Sequence, residues 1–209
     1  MSRERAVVFD LGGVLFRWQP KELLSRVLPH RVADAAGAQA LVEAFFQSYQ
    51  GDWGDFDRGT IEVEVLVSRI AARTGLAEAD VQAVVDAVPA ALEPMPETVA
   101  LLERLHRDGR TLFYLSNMPA PMAQHLEDSH AFLRLFRRGV FSARVRMIKP
   151  ERAIFDHAAG HFGHAPQQLV FIDDHPPNVA AARAAGWDAV QFVDAGTLEA
   201  DLARRDLLA

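Results

Sequence analysis

Four short runs of almost uninterrupted apolar residues constrain this chain more than any other feature: "AVVF" (6–9), "TLFYL" (111–115), "LVFI" (169–172) and "AVQFV" (189–193). A strand with one wet face alternates apolar and polar residues. A strand that is apolar throughout is buried on both faces, which is the habit of parallel sheets covered by helices. Segments of helical spacing separate the last three runs. "PETVALLERLHRDG" (96–109), "PERAIFDHAAGHFG" (150–163) and "PNVAAARAAG" (177–186) each open on proline and close on glycine. Strand and helix in alternation predict a doubly wound, Rossmann-like α/β fold with a parallel sheet. A short fifth strand is expected at "GVFSA" (139–143).

The first run is separated from the second by a region of different character. Residues 17–92 hold no strand-like run, only helical stretches at 21–28, 38–49, 60–75 and 77–88, with "GDWGDFDRG" (51–59) reading as a loop by its glycines and aspartates. The expected organisation is therefore a catalytic core of residues 1–16 and 93–209, interrupted by an all-helical cap at 17–92. The proline-rich "EPMPE" (93–97) closes that insertion.

Composition narrows the setting. The chain has 209 residues, 50% hydrophobic and 24% charged, enough for one well-covered core. It has no cysteine, which excludes disulfides and thiolate chemistry and suits a reducing compartment. The start "MSRERAVVFD" is too charged for a signal peptide and no stretch is long enough to span a bilayer, so a cytoplasmic protein without a membrane partner is expected. A net charge of −6 opposes nucleic-acid binding, and the cluster Arg134, Arg137, Arg138, Arg144 and Arg146 reads as a solvated face. The oligomeric state is not legible.

The polar residues that end the apolar runs carry the chemistry, because open α/β sheets bind ligands beyond the carboxyl ends of their strands. Asp10 follows the first run, Ser116 and Asn117 the second, Asp173 and Asp174 the third, and Lys149 sits in "IKPE" beyond the short strand. Singly, each could be a turn or helix cap. Together, three carboxylates at one edge would repel one another without a cation, and oxygen ligands suit Mg²⁺. Lys149 is also conspicuous because Lys21 is the only other lysine among 22 basic residues. A fitting reaction has Asp10 attack phosphorus to form an aspartyl phosphate. Asp174 binds the metal, Asp173 and Asn178 orient its shell, Ser116 holds phosphoryl oxygens and Lys149 offsets their charge.

The ordered segments "FDLGGVL", "LSN", "IKP" and "FIDDHPPN" resemble the four motifs of the haloacid dehalogenase superfamily, and the opening "FDLGGVLFRWQP" is most similar to its branch with α-D-glucose-1-phosphate phosphatase activity and a small helical cap. The resemblance implies a Mg²⁺-dependent phosphatase of a small phosphorylated metabolite, with the Gly12 carbonyl as a further metal contact. It also exposes a departure: most such phosphatases carry a general acid two residues after the nucleophile, where this chain has Gly12. Losing a positioned acid costs ~10²–10⁴ in rate, roughly 3–5 kcal/mol. An acidic leaving group suffers least, so a sugar-1-phosphate is the expected substrate, with His175 a candidate substitute acid. Gly12, Asn117 and Trp18 are expected to contact substrate, with Arg17 and Gln19 close by, and Ile148 stands where relatives often place a basic residue. Two rivals remain: a 2-haloacid dehalogenase, which needs neither metal nor acidic pair, and a catalytically weak relative that acts by binding.

Overall fold

The computed structural model describes residues 5–32 and 34–208; the charged residues 1–4 that entered the localisation argument lie outside them. Strand β1 (Ala6–Phe9) is followed by five helices, α1 (Pro20–Val27), α2 (Ala35–Phe46), α3 (Asp52–Arg58), α4 (Val63–Thr74) and α5 (Glu78–Ala91). Then come α6 (Pro96–Arg107), β2 (Leu112–Ser116), α7 (Ala120–Ser129), β3 (Arg138–Phe141), the single turn α8 (Ser142–Val145) and α9 (Arg152–Phe162). Finally β4 (Leu169–Asp173), α10 (Pro176–Ala184), β5 (Asp188–Gln191) and α11 (Ala195–Ala203) complete the chain.

The five strands form one parallel sheet in the order β3-β2-β1-β4-β5. The reason for the unbroken apolar runs is visible in the two faces. Val7, Phe9, Leu112, Tyr114, Val170 and Ile172 enter one apolar cluster, while Ala6, Val8, Phe113, Leu115, Leu169 and Phe171 enter another on the opposite side. Successive side chains alternate between faces, and both faces are dry. The last run stops earlier than expected, at Gln191, and Val193 beyond it is 70% exposed.

The helical insertion leaves and rejoins the sheet at one place. Arg17 N donates to Glu93 O and Met95 N to Leu15 O, both at 2.8 Å, so the two connecting segments run side by side. The apolar cluster on this face of the sheet is continuous with the interior of the insertion, where Leu24, Phe45, Phe46, Trp53, Leu66 and Val84 are buried.

One expectation fails. Residues 51–59 are not a loop: Asp52–Arg58 form helix α3, ended by Gly59 in the left-handed region at φ 73°. Trp53 and Phe56, one turn apart, are buried against each other, and Trp53 packs on Phe45 and Phe46 in an aromatic cluster. That burial outweighs the poor helix propensity of glycine and aspartate, which had favoured a loop.

Candidate active site

The strand order reverses at β1, whose neighbours are β2 and β4, and the crevice beyond its carboxyl end is where such sheets place ligands. A cavity of about 340 Å³ opens there. Asp10, Gly12, Ser116, Asn117, Lys149 and Asp174 line its floor, and Trp18 lines its wall. Among the expected contacts, Arg17 and Gln19 do not reach it. Ser116 and Asp173 are the final residues of β2 and β4 and do not follow them, because the ladder extends one residue further than the apolar runs.

Register explains the convergence. Phe9 pairs with Ile172, and Asp10 N donates to Ile172 O at 2.8 Å, so Asp10 lies beside Asp173. The buried ammonium of Lys149, whose residue is only 3% exposed, bridges them, with Nζ 2.9 Å from Asp10 and 2.6 Å from Asp173. Burial opposes the ammonium, but the two carboxylates outweigh that effect and raise its pKa. The rare lysine is thus a compact point charge between two acids, a role a planar guanidinium fills poorly. Asn117 holds it from behind: Lys149 N donates to Oδ1 at 2.8 Å and Nδ2 donates to Lys149 O at 3.0 Å. The side chain of Asn117 is therefore engaged in positioning Lys149, whose bond to Pro150 is cis.

Asp173 is fully enclosed and takes hydrogen bonds from Lys149, Asn178 Nδ2 at 3.1 Å and His175 N at 2.8 Å. Its carboxylate serves to orient its neighbours. Asp174, in contrast, faces the solvent side of the cavity, and its pKa is raised by loss of hydration and by the charge of Asp173. The Asp10 carboxyl is likewise raised, by burial first and by Asp173 and Asp174, with Lys149 pulling the other way. Gly13 makes the arrangement possible: at φ +77° it lies so close to Asp174 that a β-carbon would fall 2.4 Å from Oδ2.

Oxygen atoms of Asp10, Asp173 and Asp174 lie within 4.8 Å of one another. Three carboxylates face one ammonium, so the cluster is short of positive charge, and its donors are all oxygen. Both properties fit a hard divalent cation such as Mg²⁺.

The wall of the cavity comes from the insertion and is mostly apolar. Trp18, Tyr49, Trp53, Val88 and Leu92 line it, joined by Met118 and Met122 from the core. Trp18 Nε1 donates to the Tyr49 hydroxyl at 2.7 Å and its ring meets Phe46 edge-on. Gln47, Ser48 and Tyr49 all have left-handed backbones, and this strained turn carries Tyr49 into the cavity.

Sequence reasoning singled out no acidic residue of the insertion. Asp57, on α3, is 5% exposed and lines the same cavity. Burial raises its pKa to about 8, with Lys149 opposing the shift and Asp10 adding to it. Its one available signal was the amphipathic spacing of Trp53 and Phe56, which, taken as a helix, would have put position 57 beside the buried face.

Comparison with known proteins agrees with this geometry. The family profile described as haloacid dehalogenase-like hydrolase matches residues 4–186. A sesquiterpene phosphatase of Aspergillus oryzae is 27% identical over 191 residues, covering 91% of this chain and 90% of its own. Among solved structures, a predicted hydrolase of the same family from Porphyromonas gingivalis superposes with a TM-score of 0.74 at 28% identity, covering 98% of both chains. Another, an enzyme from Bacteroides thetaiotaomicron in complex with magnesium and inorganic phosphate, gives a TM-score of 0.71 at 21% identity, over 93% of this chain and 96% of its own.

Proposed function

This chain belongs to the haloacid dehalogenase-like hydrolases, and on that premise we propose that it is a Mg²⁺-dependent phosphatase of a small organic phosphomonoester, acting through an aspartyl phosphate on Asp10. The observation that carries the reading is the buried Asp10–Lys149–Asp173 bridge beside the solvent-facing Asp174, at the base of a cavity large enough for a small metabolite.

Asp10 is the nucleophile. Lys149 and Leu11 N, which donates to Oδ1 at 2.7 Å, orient its carboxylate and hold charge beside it. Ser116, at the end of β2, binds phosphoryl oxygens, and Lys149 offsets their negative charge. The carboxylates of Asp10 and Asp174 and the carbonyl of Gly12 would hold Mg²⁺, while Asp173 fixes Lys149 and Asn178 around them. When bound, the cation supplies the positive charge that lets an anionic ester approach an anionic nucleophile.

The lining favours a particular organic group. Trp18, Trp53, Val88, Leu92 and Met122 offer a run of apolar contacts, which supports an apolar alcohol portion. The phosphatase activity named for the Aspergillus oryzae relative, on a sesquiterpene, points the same way. A sugar-1-phosphate is the second reading, motivated by Gly12 and by the resemblance of the opening motif to the α-D-glucose-1-phosphate phosphatase branch. A 2-haloacid dehalogenase is disfavoured, since Asp173 and Asp174 would repel a carboxylate substrate.

The test is phosphate release from a panel of alkyl, prenyl and sugar monophosphates, with Mg²⁺ and with chelator. Metal-dependent turnover that disappears in Asp10→Asn supports the phosphatase, and a preference for prenyl esters supports the apolar substrate. Turnover indifferent to chelator, or surviving in Asp10→Asn, rejects the mechanism; absence of turnover on every ester favours a binding role.

A further inference from the structure

Gly12 contributes no side chain to protonate the departing alcohol from the position two residues after Asp10, and nothing lies within 4 Å of where its β-carbon would be. The insertion contributes one carboxyl to the same cavity. Asp57 sits on α3 with its residue nearly enclosed, and its carboxyl makes no hydrogen bond to any other described residue. The carboxyl is not closed off but lines the cavity, where a ligand or water can complete it.

The position of Asp57 is built with care. Its backbone carbonyl accepts a hydrogen bond from Ser142 Oγ, which itself accepts from Met118 N at 2.9 Å, so the residue is tied to the segments that follow β2 and β3. Two residues on, Gly59 rests on α8 so closely that a β-carbon would fall 2.6 Å from Ala143 O. Arg58 makes a two-pronged pair with Glu151, at 2.8 and 2.6 Å, two residues beyond Lys149. These contacts attach α3 to the catalytic floor by hydrogen bonds, close packing and charge.

Resting on the phosphatase reading above, we propose that Asp57 is the general acid and base of the reaction, supplied by the insertion in place of the group that Gly12 lacks. In the first step an oxygen of Asp10 bonds to phosphorus while the phosphorus–oxygen ester bond breaks. The bonding electrons go to the ester oxygen, which takes the Asp57 proton and leaves as a neutral alcohol. In the second step water attacks the aspartyl phosphate and gives a proton to the Asp57 carboxylate. The bond from phosphorus to Asp10 breaks, and inorganic phosphate and both starting side chains are recovered.

Burial keeps the proton on Asp57 near neutrality, as the first step requires. Lys149, Asp10 and Tyr49 are the ionisable groups that face it from other elements. The alternatives in the cavity are less suitable. His175 is exposed at the start of α10. The Tyr49 hydroxyl accepts from Trp18, and burial raises its pKa above that of an ordinary phenol.

The deciding experiment compares wild type, Asp57→Asn, Gly12→Asp and the double variant on 4-nitrophenyl phosphate, whose leaving group needs no proton, and on an alkyl phosphate. Expected are a loss of ~10²–10⁴ on the alkyl ester, a much smaller loss on the aryl ester, and partial recovery of alkyl turnover in the double variant. Equal losses on both esters, or no loss, overturn the proposal. Should Asp57→Asn fail to fold, as judged by thermal melting, the wild-type dependence of rate on leaving-group acidity decides: a shallow slope supports an internal acid and a steep one excludes it. Wild type inactive on both esters, or active after Asp10→Asn, would instead refute the phosphatase reading on which this rests.

Discussion

The floor and the wall of the cavity are made by different rules. On the floor, Asp10, Lys149, Asp173, Asn117 and Asn178 bind one another with almost every polar atom engaged, and the ends of adjacent strands fix their spacing. The wall, from the insertion, is a set of apolar and aromatic side chains around one buried carboxyl. On the proposed function, a rigid, saturated network suits the phosphoryl group, which every substrate shares. The wall meets the alcohol portion, which differs between substrates, and there shape and apolar area decide.

Substitutions can break this contrast in graded steps. Asp10→Asn should reduce turnover by ~10⁴-fold or more while leaving the fold intact, measured as phosphate release alongside thermal melting. Lys149→Ala should unfold more readily by ~3–5 kcal/mol in denaturant titration, because it leaves two buried carboxylates without their shared cation. Next comes Gly13→Ala, where a left-handed backbone and contact with Asp174 should cost about 1–2 kcal/mol and weaken magnesium affinity measured by calorimetry. On the wall, Val88→Thr keeps the shape and adds a hydroxyl; kcat/KM for a prenyl phosphate should fall about tenfold, with a smaller change for a sugar phosphate.

Asp57 allows a prediction that needs no substrate. Its native pKa of about 8 lies above the 3.8 of an unperturbed carboxyl, so between those values the folded protein holds a proton that the unfolded chain releases. Its contribution therefore lowers stability as pH rises through that window. Asp57→Asn removes this dependence and should raise the melting temperature relative to wild type more at pH 9 than at pH 5. The expected gap is several degrees, at ~2–4 °C per kcal/mol for a chain of this size. An equal difference at the two pH values would show that the carboxyl is not held protonated.

The floor was legible in the sequence because its signals are local. An apolar run ending in aspartate marks a strand and its catalytic end in the same few residues, as in "VVFD" and "FIDD". The parallel direction of the strands also follows from the both-sides-buried pattern. Asp57 and the left-handed turn at Gln47–Tyr49 were not legible, since neither depends on nearby sequence: α3 is helical because Trp53, with Phe56 against it, packs on Phe45 and Phe46, and Asp57 matters because β2 and β3 end beneath it. The expectation of a sugar-1-phosphate rests on the missing acid at Gly12 and on the resemblance of the opening motif, both local signals of the floor, whereas the shape of the wall has no such local signal.

The contact of Gly59 with Ala143 has a kinetic implication. With Asp57 in the role proposed for it, anything that lifts α3 away from α8 removes the proton donor and the water activator in the same motion. Admission of substrate and the ability to turn it over are thereby interlocked: a phosphorylated Asp10 in an open molecule would be sheltered from wasteful hydrolysis until the helix returns to its seat.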